Sequence, residues 1–217
     1  MKTKFLALLT ILPGLLPVLL RAGELRVADV YTDRAVLQQG VDVPVWGTAT
    51  AGDTVTVQFA GQTKRAQAAN DGSWQVELAP LNVSSTGDRM IVETGRQRKE
   101  FHDLLVGEVW YASGQSNMQM TLGGCARKLP AIREFIETHE RGIIRVLRID
   151  EPDSPEPLSQ RQRATGWQSD TAANRARQSA VAYFFARRLQ TELDVSPTGS
   201  TKPQSLIWSG NSYSTAI

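Results

Sequence analysis

The sequence is poor in the residues that staple or metallate small folds. A single cysteine, Cys125, in 217 residues excludes an internal disulfide. With no histidine in a recognisable motif around it, it is a poor candidate for a catalytic thiol. Histidine is nearly as scarce, with His102 and His139 only. No His/Cys/Asp cluster has ligand spacing, so no metal and no cofactor is implied. There is no basic surplus either. Lysine and arginine total 24 against 22 acidic residues, and Lys2, Lys4 and Arg21 lie in a leader; without them, 21 basic residues face 22 acidic ones, a charge near −1. The absence of a basic stripe argues against nucleic acid as a partner.

The leader is Met1 to Gly23. It has a basic start, an apolar run from Phe5 to Leu20, and small residues at Ala22-Gly23. That pattern is a secretory signal peptide cleaved near Gly23, although Leu20 replaces a usual small residue. The run is broken by Pro13, Gly14 and Pro17 and is short for a membrane span; an uncleaved anchor is the alternative. Export to a periplasm or the exterior, with no membrane attachment after cleavage, fits a chain with one cysteine.

At 41% hydrophobic and 21% charged residues, the rest has the composition of a globular protein with a core. Residues 24–104 read as short strands and turns. Val43-Pro44-Val45-Trp46 ends at Gly47. Thr54 to Phe59 alternates with period two, Ala60-Gly61-Gln62 turns, and Lys64 to Ala68 returns. Asn70-Asp71-Gly72 turns again before Ser73 to Leu78, where Trp74, Val76 and Leu78 share a face, and Met90 to Thr94 is a further strand. Such spacing predicts an antiparallel β-sandwich. Trp46 and Trp74 could serve as sugar platforms, but the phase of Trp74 favours core positions for both. His102, just before the second unit, is read as structural or surface, and so is His139, among Glu137, Thr138 and Glu140.

From Leu105 the period changes. Val106 to Ala112 reads as a buried strand, Gly114-Gln115-Ser116-Asn117 as a sharp turn, and Met118 to Leu122 as a helix start. Gly123-Gly124 reads as a turn. Leu129 to His139 is predicted helical, with Ile132, Phe135 and Ile136 on one face, and Ile143 to Ile149 is a second strand. Pro152, Pro155 and Pro157 mark a loop. A helix from about Arg175 to Leu193 presents Val181, Phe184, Phe185, Leu189 and Leu193 together. Strand, helix, strand, helix predicts an α/β layer with a parallel sheet. A serine in a strand-to-helix turn has its hydroxyl held free and its N–H near a helix start, which suits a nucleophile with half an oxyanion hole. The same position equally suits a plain N-cap.

The run V-G-E-V-W-Y-A-S-G-Q-S-N-M from Val106 to Met118 resembles the nucleophile block of the sialate O-acetylesterase family, carbohydrate esterases of the SGNH/GDSL hydrolase superfamily. Val36 to Gln39, Val43 to Gly47, Ala51 to Val57 and Asp71 to Trp74 resemble the β-rich domain ahead of that block. Ser179 to Leu189 resembles a helix after it. Several motifs in order, over roughly Glu24 to Val195, are more specific than one pentapeptide. The resemblance implies a mixed β and α/β fold: signal peptide 1–23, β-sandwich 24–104, and the first part of a flavodoxin-like SGNH domain over 105–195. It implies Ser116 as the catalytic nucleophile, with Gly114, Gln115 and Asn117 shaping the turn and oxyanion site, and an acetylated carbohydrate as substrate.

The resemblance also implies parts that this chain lacks. The family's glycine turn, asparagine block and late Asp-x-x-His motif do not occur here. Residues 196–217 have no strand alternation and no helical face, and are rich in serine and threonine. They read as an atypical tail, a frameshifted or foreign end, leaving an incomplete α/β core. Two functions follow: an exported carbohydrate O-acetylesterase, incomplete as given, or a non-catalytic glycan-binding or docking sandwich with a hydrolase remnant.

Overall fold

The structure is a computed structural model that describes residues 23–114, 116–138, 143–150, 163–164, 166–193 and 204–209, with residues 150, 163–164, 193 and 204–209 described by their backbone alone. The leader, Gln115, His139, the proline loop and most of the tail lie outside the described residues.

Eight strands come first: β1 (Arg26–Val27), β2 (Val36–Gln38), β3 (Val43–Thr48), β4 (Thr54–Phe59), β5 (Gln62–Gln67), β6 (Ser73–Leu78), β7 (Ser84–Glu93) and β8 (Arg98–Ala112). β1, β3 and β6 form a three-stranded antiparallel sheet. β5, β4, β7 and β8 follow one another in a second sheet, with β2 parallel to β8. The inward residues of both sheets, among them Val45, Val76, Leu78, Val55, Val57, Phe59 and Val92, join one buried cluster. Period-two alternation dictates this: one face of each strand is apolar and must be covered.

Alternation also corrects one expectation. Trp74 is buried with Val76 and Leu78, but Trp46 is 41% exposed. In β3, Val43 and Val45 point inward, so the even positions Pro44 and Trp46 point out.

The helices are α1 (Ser116–Gln119), α2 (Leu122–Ala126), α3 (Pro130–Thr138), α4 (Ala172–Arg177) and α5 (Ala180–Leu193), with β9 (Ile144–Asp150), β10 (Arg163–Ala164), β11 (Gln168–Ser169) and β12 (Gln204–Ser209) among and after them. β12 lies parallel to β8 on one side and to β9 on the other, while β10 and β11 pair antiparallel with β9. The fold is therefore mixed and sheet-rich with some helices. β8 belongs to both sheet systems: its first part pairs with β7, and residues 108–112 pair with β12. The chain passes residue 104 in mid-strand, not in a linker.

Three clamps hold that passage. Gln38 extends the β2 ladder with its side chain, its carbonyl accepting from the Val109 N–H at 2.8 Å, and the amides of Gln38 and Gln39 donate to Glu108. Arg145 on β9 donates to the carbonyls of Arg34 and Asp103 and pairs with the Asp103 carboxylate at 2.9 Å. Burial pushes its pKa down, and the Asp103 hydrogen bond and charge oppose that. Trp167 donates its indole N–H to the Val30 carbonyl at 2.7 Å.

Four further expectations are corrected. Gly123 and Gly124 sit inside α2, not in a turn. Glycine is needed there for close approach: a Cβ on Gly123 would lie 2.9 Å from the Ala176 carbonyl oxygen of the neighbouring helix. The helix expected from Arg175 is two helices, because Gln178 is extended (φ −78°, ψ 153°). α5 buries Ala182, Tyr183 and Ala186, so Val181, Phe184 and Phe185 of the expected core stripe are exposed. The tail, expected to hold no strand, contributes β12, whose Leu206-Ile207-Trp208 run is long enough to pair but too short to show a period.

Gly123→Ala is expected to lose about 1–3 kcal/mol, since backbone must move to admit the methyl. Gly95→Ala, where nothing lies within 4 Å of the added Cβ, is the control. Urea unfolding of the two variants measures the difference.

Candidate active site

The segment after β8 is placed by its two ends. On the strand side, Gln204 to Trp208 of β12 align with Glu108 to Ala112, and β9 aligns with β12 in the same direction. Three parallel strands therefore end together, and Ser116 follows the carboxyl end of one of them. That is the edge at which open α/β sheets bind ligands. On the helix side, Met120 and Leu122 are stitched to the start of α5: Ala180 N donates to the Met120 carbonyl at 2.8 Å and Leu122 N to the Gln178 carbonyl at 3.0 Å. Thr121 and Ser179 form the bridge between them. The Thr121 hydroxyl caps α2 by accepting from Gly124 N at 3.1 Å.

Ser179 makes a further link. It is fully buried, accepts from Ala182 N at 3.3 Å as the cap of α5, and donates its hydroxyl to the Met118 sulfur at 3.1 Å. Met118 is two residues after Ser116 and half-buried. The segment is thus fixed through Met118, Met120 and Leu122, while Ser116 and Asn117 are exposed. Ser116 is the first residue of α1, and its hydroxyl makes no hydrogen bond to another described residue. The first N–H groups of a helix have no intrahelical acceptor. In a four-residue helix the useful field comes from those local N–H groups, since the macrodipole needs several aligned turns. A hydroxyl beside the N–H groups of a helix start can attack a carbonyl and hold the oxygen that becomes negative.

Gly114 is half-buried, and its φ is not in the left-handed region. A Cβ there would make an ordinary 3.5 Å contact with Met118 Cβ. At Gly114 itself, neither the backbone angle nor the space demands glycine.

Below the segment lies a polar network that sequence reasoning missed. Arg175 and Asp170 pair at 2.9 Å with both side chains 1% exposed. Tyr183 donates to the second Asp170 oxygen at 2.9 Å and accepts from Arg175 Nε at 3.1 Å. Arg175 also donates to the Ile136 carbonyl near the end of α3 at 2.8 Å, so one guanidinium joins α3, α4 and α5. Burial pushes the Arg175 guanidinium down, but the Asp170 hydrogen bond and charge with Tyr183 leave its pKa raised. Tyr183 is pushed well up, first by burial and then by the Asp170 charge, so its hydroxyl stays protonated and donates. Only the lone buried-side charges in the text 170–183 could have signalled this; their pairing is set by tertiary packing.

His102 is on β8, its side chain 62% exposed and 3.9 Å from Glu100. It lies ten positions before Ala112, in the part of β8 paired with β7, whereas residues 108–112, which lead to Ser116, pair with β12. Cys125 is a free, half-buried thiol on α2. Among the described residues no three His, Cys, Asp or Glu side chains gather as a metal site, and no described helix is long and apolar enough to cross a membrane.

No family model matches the chain. It is 32% identical over 164 residues to the sialate O-acetylesterase of Rattus norvegicus, a match covering 69% of this chain and 30% of the relative. To the Homo sapiens sialate O-acetylesterase it is 30% identical over 179 residues, 76% of this chain and 34% of the relative. The chain thus spans about a third of the length of these curated relatives. A crystal structure of a carbohydrate acetylesterase from Xanthomonas citri superposes with a TM-score of 0.74 at 25% identity, covering 85% of this chain and 40% of that one.

Proposed function

Because the chain belongs to the sialate O-acetylesterase family, we propose that it is a carbohydrate O-acetylesterase polypeptide acting by serine acyl transfer. The observation that carries this reading is the exposed Ser116 at the carboxyl edge of the parallel strands, on a segment fixed at both ends. In the reaction, Ser116 Oγ attacks the acetyl carbonyl of an acetylated sialic acid or related sugar. The sugar oxygen leaves with a proton as the alcohol, and water then releases acetate from the acetyl-serine. The Ser116 N–H helps hold the oxyanion, with Asn117 beside it.

We read the first two sheets as the sandwich, residues 24–104, and β8, β12 and β9 with their helices as the start of a flavodoxin-like layer. The leader directs export to a periplasm or the exterior. The reaction also requires an imidazole base, and the described His102 lies on the β7-paired part of β8, away from the Ser116 segment. Acetate release from 9-O-acetyl-N-acetylneuraminic acid and from acetylated xylo-oligosaccharide tests the substrate class. Release from either that disappears in Ser116→Ala supports the reading; equal release by both proteins contradicts it.

A further inference from the structure

The outer face of the three-stranded sheet carries a feature that the esterase chemistry does not use. In the antiparallel register of β3 and β6, Pro44 lies opposite Glu77, Trp46 opposite Gln75 and Thr48 opposite Ser73. Directly opposed residues share a face. The other face holds Val43, Val45, Trp74, Val76 and Leu78, all buried. The outer face is therefore polar with a single large aromatic at its centre. An indole 41% exposed on such a face forgoes the burial that usually places tryptophan in a core.

Trp46 is also held in place. Tyr31 meets it edge-on, with ring centroids 5.4 Å apart and planes at 83°, and the Tyr31 hydroxyl donates to the Pro44 carbonyl. A T-shaped contact covers at most one side of the indole, which stays 41% exposed. Gln75 and Glu77 flank it, both exposed, and neither makes a side-chain hydrogen bond or ion pair with another described residue. Arg26, opposite Thr48, is already paired with Glu24 at 3.1 Å. The face thus combines a rigid apolar plate, an amide and an uncompensated carboxylate.

We propose that this face binds a neutral pyranose of a carbohydrate chain, its C–H side stacked on Trp46 and its hydroxyls bonded to Gln75 and Glu77. A pyranose has this amphipathic character: apolar C–H groups on one side and hydroxyl donors and acceptors around the rim. The Glu77 carboxylate accepts hydroxyl protons and repels an anionic sugar, so the ligand is a neutral hexose or pentose chain and not a sialic acid. A preformed plate loses little side-chain entropy on binding, but one ring is a small contact, so affinity is on the order of 0.1–1 mM. The site does not depend on Ser116 and stands apart from the esterase reading.

The chain contains 5 tryptophans, so indole N–H signals of the nitrogen-15-labelled full chain report each one separately, with Trp46 assigned by its loss in Trp46→Phe. Titration with cellohexaose or xylohexaose is expected to shift the Trp46 signal saturably and to leave N-acetylneuraminic acid without effect. Trp46→Ala is expected to weaken binding at least tenfold by ligand-observed NMR, and Gln75→Ala with Glu77→Ala several-fold, with circular dichroism unchanged. Trp46→Tyr, which keeps a ring, retains part of the affinity, and Ser116→Ala retains all of it. A Trp46 signal unmoved by both hexasaccharides at about 10 mM, binding unchanged in Trp46→Ala, or a preference for N-acetylneuraminic acid would overturn the assignment.

Discussion

Asp170→Asn and Arg175→Met are each expected to cost about 3–5 kcal/mol of stability, because either breaks the ion pair between two buried side chains. Both side chains are 1% exposed, so water cannot take the missing role. Tyr183 and the Ile136 carbonyl lose partners in the arginine variant as well. Against the ~5–15 kcal/mol that holds a domain together, such a loss lowers the melting temperature by roughly 10 °C for a chain of this size. The double variant is expected to be less damaged than the sum of the two, with a coupling of about 0.5–3 kcal/mol. Thermal and urea melts followed by circular dichroism check this. Single variants within about 0.5 kcal/mol of the parent would show that the network does not hold α3, α4 and α5 together.

The second large effect concerns chemistry and leaves stability alone. Ser116 is exposed and its hydroxyl is bonded to no described residue, so Ser116→Ala is expected to change unfolding free energy by no more than about 0.5 kcal/mol. Hydrolysis of an activated aryl acetate is expected to fall by roughly tenfold, since the attacking oxygen is gone, and a larger loss would require a base acting with Ser116 as a unit. An aryl acetate suits the test because its leaving group departs without a general acid. That matters here: triad members act as a unit, and the described His102 lies away from the Ser116 segment. Equal rates in parent and variant would remove Ser116 from the reaction.

Most of the strands were legible because period two is a local signal and each strand has one covered face. β4 and β6 match their alternation residue for residue. The exposed turn at Ser116 was legible because the apolar run of β8 stops abruptly at Ser113-Gly114. α5 was legible as a helix but not in its orientation. Its text, Ala180-Val181-Ala182-Tyr183-Phe184-Phe185-Ala186, is apolar all round, so hydrophobicity alone cannot choose a face. Packing against β12 and α1, and into the cluster with Leu122, Ile136, Ile144 and Val146, selected the small residues and Tyr183, whose hydroxyl finds Asp170. Trp46 was misassigned because it was grouped with Trp74 by type, although its own strand places it out of phase with Val43 and Val45. The Gln38, Gln39 and Glu108 clamp and the Asp170, Arg175 and Tyr183 network were invisible for a different reason. Each joins residues whose neighbourhood exists only after the sheets and helices have assembled.

Covalent labelling addresses the catalytic claim most directly. The folded chain is treated with a fluorophosphonate, digested, and the modified peptide located by mass spectrometry. The account predicts one adduct, on the Ser116 hydroxyl, absent from Ser116→Ala; an adduct on a different serine, or none on soluble folded chain, would contradict it.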